Sequence, residues 1–380
     1  MNVTALRPLA SLLFLAAPLA AADFTVHEWG TFTSIVGSDG RMLPGLEVEE
    51  ESLPAFVHSF AGFSPRNKGW DRPLAGVTVK VETPVLYFYS DTPLSARVSV
   101  GFHGGAISQW YPDRAAGEEI PLRDLAPNQP PAGPPIDFSA GHEGAATWQV
   151  DVLPHDGAPP TSAPKDWETR QWPRARVPAA NRVRVGREVE GFIFYRGVGN
   201  FTLPLKVRCA PDGGLLLTNE GRQAMPFLWV YEKKSASAAP ASWTGELAAG
   251  ETRATGPRRA QPVAFADALV RAGLSADEAR ALLATWRESY FDRPGLRVFW
   301  IVPREFTNAI LPIDITPRPA HLARVLVGRT EVMTPAFETT LLRDFNRDGG
   351  KRWADDRYLH AYQERVRQLR ATLGQMAATP

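Results

Sequence analysis

The chain has one cysteine in 380 residues, Cys209. A single thiol closes no internal disulfide, so stability must come from a hydrophobic core. A chain of this length can supply one, because folding at that size buries about three-quarters of the extended surface. Cys209 alternates with Val207 in LPLKVRCA and is expected to be a small buried apolar group. Excess charge of either sign is missing as well, with 42 Lys+Arg against 41 Asp+Glu. Nucleic-acid binding needs a basic footprint to displace counterions from phosphates, and this composition provides none. The locally basic RQWPRARVPAANRVRVGR is broken by proline and offset by acidic EVEEE, and reads as a solvated face.

Several catalytic signatures are absent too. VHEWG lacks the second histidine four residues on that a zinc-protease helix requires. There is no G-x-S-x-G elbow, no Walker lysine and no dinucleotide glycine pattern. A copper site built on an N-terminal histidine would need cleavage after Val26, where signal peptidase requires a small residue.

Long apolar runs occur only at the start. MNVTALRPLASLLFLAAPLAAAD has a basic opening at Arg7, an apolar stretch and small residues at Ala20–Ala22, the three parts of a secretory signal. The apolar stretch falls short of the ~20 residues that span a bilayer. Residues 1–22 are therefore expected to be a signal peptide, leaving a protein without a transmembrane segment in the periplasm or outside the cell.

From residue 23 to about 260 the chain is dominated by short β-rich runs broken by proline and glycine, among them VTVKVETPVLYFYS, TWQVDVLP, EVEGFIFYRG and PFLWVYEKK. Connections at 121–137, 154–180 and 233–262 read as surface loops. This pattern predicts a mainly β fold, an antiparallel β-sandwich. Residues 261–380 read as an α+β segment, either separate or packed onto the same core. FADALVRAGL is a helix stopped near Gly273. The next helix has Ser275 and Glu278 spaced as a capping box, with Ala279, Leu282, Leu283, Trp286 and Tyr290 on one face. A last helix over about 356–373 carries Tyr358, Tyr362, Val366, Leu369 and Leu373 on one stripe.

Candidate chemistry begins with VHEWGTFTS. In an extended strand His27 and Trp29 share one face and Glu28 takes the other, unless Gly30 permits a bulge. His27 is then either a hydrogen-bonded structural residue or, with Glu28, part of a site. In VTVKVETPVLYFYS apolar and polar positions alternate up to Glu82, and both faces are apolar after Pro84. Glu82 thus lies where a half-exposed strand becomes buried, a place for a general acid or base or for an arginine partner. Pro84 belongs at an edge or bulge. FYRGVGNF sets Arg196 and Asn200 around glycines, as a binding loop or as a strand-ending turn. GRTE puts Arg329 and Glu331 on one strand face, where they contact each other or a cross-strand partner.

These stretches, HEWGTFTS with VETPVLYFY, FYRGVGNF and GRTEVMTP, resemble a family of uncharacterised exported proteins of environmental bacteria, through most of the chain after the leader. The resemblance implies export and assigns no activity. In that family the position of Gln109 in ISQWYP often carries an acid, so a catalytic acid at that place is put in doubt here.

Glu28, Glu82 and Glu331 are the acids available to a hydrolase with paired carboxylates, which must stand ~5–9 Å apart. Aromatic residues add support for sugar contact. Trp110-Tyr111 ends a strand before Pro112, and Trp167 and Trp172 lie in a loop, although most of the 11 tryptophans are expected in the core. DFNRDGGKRWAD places Asp344, Asn346, Asp348 and Asp355 at positions 1, 3, 5 and 12 of an EF-hand-like loop. Against this, position 12 lacks the usual glutamate, so the reading is divided between structural calcium and a polar turn between helices. His103 and His142 beside glycines are weaker material for a zinc site. No cofactor is required. The expectation is a carbohydrate-acting or carbohydrate-binding exported protein, with a site formed by Glu82, Trp110-Tyr111 and Arg196. The alternative is a non-catalytic envelope or assembly protein that binds another protein.

Overall fold

The computed structural model describes residues 22–48, 52–59, 74–118, 136–155, 157–164 and 171–378. The expected leader, apart from Ala22, lies outside the described residues, as do Trp70, Trp167 and most of the 121–137 loop.

The protein is mainly β, with one large sheet. Its longer strands are β1 (Ala22–Val36), β2 (Val79–Tyr89), β3 (Leu94–His103), β4 (Gly105–Tyr111), β5 (Glu143–Val152), β6 (Ile193–Gly199), β7 (Met225–Lys233), β8 (Gly295–Ile301) and β9 (Pro319–Val332). Their order across the sheet is β5-β4-β6-β2-β1-β9-β8-β7, and β3 pairs with β5. β1 runs antiparallel to β2 but parallel to β9, from Thr25 opposite His321 to Val36 opposite Val332. The sheet is therefore mixed, which corrects the fully antiparallel expectation. Strand pattern reports which face a residue takes, and it is silent on the direction of a partner some 300 positions away. β8 and β9 complete the same sheet, so residues past 261 supply part of its centre.

β1 is rich in aromatic and β-branched residues, the types that fit a pleated, buried surface. Its side chains divide between two cores. Val26 and Phe32 join one apolar cluster, whereas Trp29 joins a second with Val85, Tyr87, Val325, Val327 and Phe299. Helices α1 (Gln171–Ala175), α2 (Phe265–Ala272) and α3 (Ala276–Thr285) cover that second face, with Trp172, Phe265, Leu269 and Leu282 packed into the cluster. Ser275 and Glu278 form the expected capping box at the start of α3. After Thr285 the helix widens into a π-helical turn, Arg287–Asp292, a form that is rare and often marks functional sites. There Trp286 and Tyr290 stack with ring centroids 4.6 Å apart, a contact worth about 0.5–1.5 kcal/mol beyond area burial.

Beyond β8 come α4 (Arg304–Ile310), α5 (Pro335–Asp348) and α6 (Leu359–Ala378). α6 buries Tyr362 and Val366, but Leu373 is exposed, so the apolar stripe ends before that residue. No helix among the described residues is long and apolar enough to cross a membrane.

Candidate functional site

The pattern break at Glu82 corresponds to a bulge. Trp29 faces Val85 and Thr31 faces Glu82, so Thr83 and Pro84 together oppose the single residue Gly30. A Cβ at Gly30 would come within 2.9 Å of the Pro84 backbone, which makes glycine necessary. Thr83 has φ 47°, a conformation that a β-branched residue adopts only under constraint. The irregularity continues sideways. β6 shifts register against β2 between Phe194 and Gly197, and against β4 between Arg196 and Gly197. Three neighbouring strands are thus distorted at one level, as happens where a sheet re-aims side chains toward a site.

A small cavity opens at that level. Glu82, Thr83, Arg196, Trp172, Thr285 and Trp286 line it, closed by Phe192, Phe194 and the 52–54 segment. Its volume is about 30 Å³, room for one or two water molecules. Glu82 and Arg196 are 2 % and 5 % exposed. Arg196 donates from Nε to Gln109 Oε1 at 2.5 Å. Lys80 Nζ stands 3.8 Å from Glu82 Oε1, and its side chain is fully buried. Trp172 is held by its indole N–H, which donates to Glu190 Oε2 at 2.9 Å. Three further polar atoms at this cavity, Gln171 Oε1, Thr285 Oγ1 and Trp286 Nε1, are buried without a hydrogen-bond partner among the described residues. Buried polar groups are nearly always satisfied, so three orphans around one space call for a polar occupant, water or ligand.

The polar band extends along the same face. Thr31 and Thr33 neighbour Glu82 and Lys80 across β2, and Thr33 neighbours Arg329 across β9. Both threonine hydroxyls are buried and lack partners among the described residues. The Arg329 guanidinium lies 4.1 Å from the centre of the Tyr290 ring and donates to Glu331 Oε1 and to the Tyr358 hydroxyl. Arg297 approaches the same Glu331 carboxylate at 3.0 Å. Burial alone would raise the Glu331 carboxyl, but Arg297, Arg329 and Arg357 hold it below the usual carboxylate range. Glu331 is thereby committed as a structural anion.

The structure thus brings together Glu82, Arg196 and the tryptophan of the 154–180 loop, Trp172, with Arg329 and Glu331 further along the same face. It does not bring the other candidates there. Glu82 and Glu331 are two strands and four residue positions apart, roughly 15 Å, too far for paired-carboxylate hydrolysis. Glu28 points to the opposite face, where it accepts from the Tyr195 hydroxyl and from Arg324 Nε, each at 2.5 Å. Trp110 packs into the first core under Arg114, while Tyr111 faces the second and touches Trp172 from behind the cavity wall. Asn200 follows the end of β6, donates its N–H to the Gly104 carbonyl and accepts from Thr78 Oγ1.

His27 shares the face of Trp29, as alternation requires, but its partner is Glu278 at 2.9 Å. Tyr89 Oη and the Ser275 N–H donate to the same carboxylate. Burial pushes the Glu278 carboxyl up, and these donors bring it below its ordinary value. A carboxyl depressed by folding contributes stability above its unfolded pKa and loses it as pH falls through the folded one. The stability gap between the wild type and Glu278→Gln should therefore shrink as pH drops from about 6 to below about 4. Urea midpoints across that range check it, and a gap that widens on acidification would contradict it.

Of the two readings of the 344–355 stretch, the structure takes the form of the polar turn between helices. Asp344, Asn346 and Asp348 lie in the last turns of α5, which Gly349 ends in a left-handed conformation, so they cannot wrap an ion as loop ligands. The 344–355 repeat of oxygens fits helix capping and arginine pairing equally well: Asp344 lies beside Arg343, Asn346 accepts from Arg370, and Asp348 pairs with Arg347. Asp355 is exposed beyond the helix. His103 and His142 do not converge either; each pairs with its own glutamate, Glu143 and Glu118. No group of three or more metal-ligating side chains occurs among the described residues.

Lys80, Thr285, Trp286 and Gln171 escaped sequence reasoning. Lys80 sits at a polar position of an alternating strand, which reads as solvent-facing. It is buried with its Nζ 5.3 Å from the centre of the Tyr358 ring, a residue 278 positions away in sequence.

No family profile matches the chain, and no curated protein sequence matches it. Among solved structures it is similar to the Fcho1 Mu homology domain of Danio rerio with bound Eps15 peptide. That similarity has a TM-score of 0.30 and 9% identity, and covers 82% of this chain and 97% of that one, too weak to carry an argument.

Proposed function

We propose that this is an exported carbohydrate-binding protein whose cavity at Glu82 and Arg196 takes the hydroxyl-rich end of a sugar ligand. The observation that carries the reading is the convergence of a carboxylate, a guanidinium and three unpartnered polar atoms between the indoles of Trp172 and Trp286. Sugar hydroxyls both donate and accept, and this mixture of groups offers both roles. The small volume suits a terminal group rather than a whole ring. Binding is favoured over hydrolysis, because neither Glu28, on the opposite face, nor Glu331, two strands away, joins Glu82 at this cavity. Export rests on the leader sequence.

Thr285→Val is the sharpest test. The hydroxyl has no hydrogen-bond partner among the described residues, so its loss should leave folding stability unchanged or raised. Affinity for the sugar found by calorimetric screening of a glycan panel should fall roughly three- to tenfold, the loss of one hydrogen bond. Glu82→Gln should weaken the same binding by more than about tenfold. Wild-type affinity in both variants removes the cavity from the role.

A further inference from the structure

We infer that a second cleft, at the end of β7 beneath the turn before β8, binds a small organic polyanion bearing phosphate or carboxylate groups. Its volume is about 540 Å³, within the ~300–1,000 Å³ typical of small-molecule sites. Six cationic side chains line it, Lys233, Lys234, Arg293, Arg297, Arg352 and Arg357, against three acidic ones. The chain as a whole is nearly neutral, so this excess is local.

Two of the three acids are already paired with arginines, and Asp356 keeps its charge. Glu331 lies between Arg297 and Arg329, Glu232 accepts from Arg258, and Asp356 accepts from the Tyr358 N–H. Lys233, Lys234 and Arg293 have no acidic partner within 4 Å among the described residues. The guanidiniums of Arg352 and Arg357 each lie 4.8 Å from an aromatic centre, on Trp353 and Tyr358 respectively. Stacking of this kind fixes both guanidiniums, which also meet Asp344 Oδ2 at 3.7 Å and the Ser289 carbonyl at 3.4 Å respectively, so they add positive field while Lys233, Lys234 and Arg293 supply the donors. The Trp353 indole N–H, in the wall of the same cleft, is buried without a partner among the described residues. A concave, low-dielectric wall concentrates the field of such charges and favours a multiply charged anion over a singly charged one. The cleft's volume fits a compact molecule rather than a nucleic-acid strand.

Isothermal titration of the full chain at about 50 mM salt, where screening is weak, tests this with pyrophosphate and with citrate as separate probes. Saturable binding of pyrophosphate alone assigns phosphate chemistry, and of citrate alone carboxylate chemistry. Lys233→Glu with Arg293→Glu should weaken the bound probe by at least about tenfold. Should that pair lower the melting temperature, Lys234→Gln with Arg293→Gln makes the same comparison at smaller cost to the fold, with a weakening of severalfold expected. Glu82→Gln and Thr285→Val should leave this binding at the wild-type level, which separates it from the sugar cavity. No saturable binding of either probe, or wild-type affinity in a charge variant that melts normally, overturns the inference.

Discussion

Glu28→Ala should lower the folding free energy by about 3–5 kcal/mol, read as a large drop in denaturant midpoint at unchanged slope. Glu28 and Arg324 have fully buried side chains with nitrogen and oxygen 2.5 Å apart. Burial pulls the Arg324 guanidinium down, but Glu28 and Tyr195 hold it above its ordinary value, so it stays charged. Truncating Glu28 leaves that charge in the core with only neutral acceptors, Asn308 Oδ1 and the Leu311 carbonyl. It also removes the acceptor of the Tyr195 hydroxyl. The desolvation penalty then stands unopposed, which is why losing one partner of a buried pair costs far more than the pair itself contributes. Glu28→Leu combined with Arg324→Met should recover much of the loss, because two apolar side chains need no counterion. Recovery will be incomplete, since Asn308 and the Leu311 carbonyl lose their donor. A single variant within about 1 kcal/mol of wild type would show that water reaches the pair.

The same residues mark how far sequence reasoning reaches. Alternation correctly separates His27 and Trp29 from Glu28, because side-chain direction along a strand is a local property. The capping box at Ser275 and Glu278 is equally local. What each face meets is not. His27 finds Glu278 across 251 positions and Glu28 finds Arg324 across 296, distances over which no spacing rule operates. Glu82 and Arg196 carry a visible signal, a pattern break and a glycine pair, and they share the cavity. Lys80 carries none, since its position in VTVKVE is what an exposed strand shows too. The aspartates near 344 leave two readings open for the opposite reason. A calcium loop and the C-terminal turn of a helix both use Asp, Asn and Gly, and only backbone geometry tells them apart. Direction of pairing, covering helices and the widened turn after Thr285 are products of packing, and the cavity is made by those three.

Gly197→Ala should be among the most damaging small substitutions in the protein, costing roughly 3 kcal/mol or more and abolishing sugar binding. A Cβ at this position would lie 1.9 Å from the carbonyl oxygen of Ala106 and 2.9 Å from its carbon. Those atoms belong to the backbone of β4, inside the sheet, so no side-chain rotation relieves the clash. The strands must separate where β6 shifts register, between Arg196 and Gly197. Arg196 would then lose its 2.5 Å hydrogen bond to Gln109, the contact that fixes the guanidinium at the cavity. Stability and binding are coupled here because the register shift that aims Arg196 is possible only with a hydrogen at residue 197. Gly191→Ala supplies the control: a Cβ there meets nothing within 4 Å, and its effect should stay within about 0.5 kcal/mol. Thermal melts and ligand titrations of the two alanine variants side by side decide the point. Equal stability in both would mean that β4 and β6 slide past each other freely, and the distorted level of the sheet would then be too soft to hold Arg196 at the cavity.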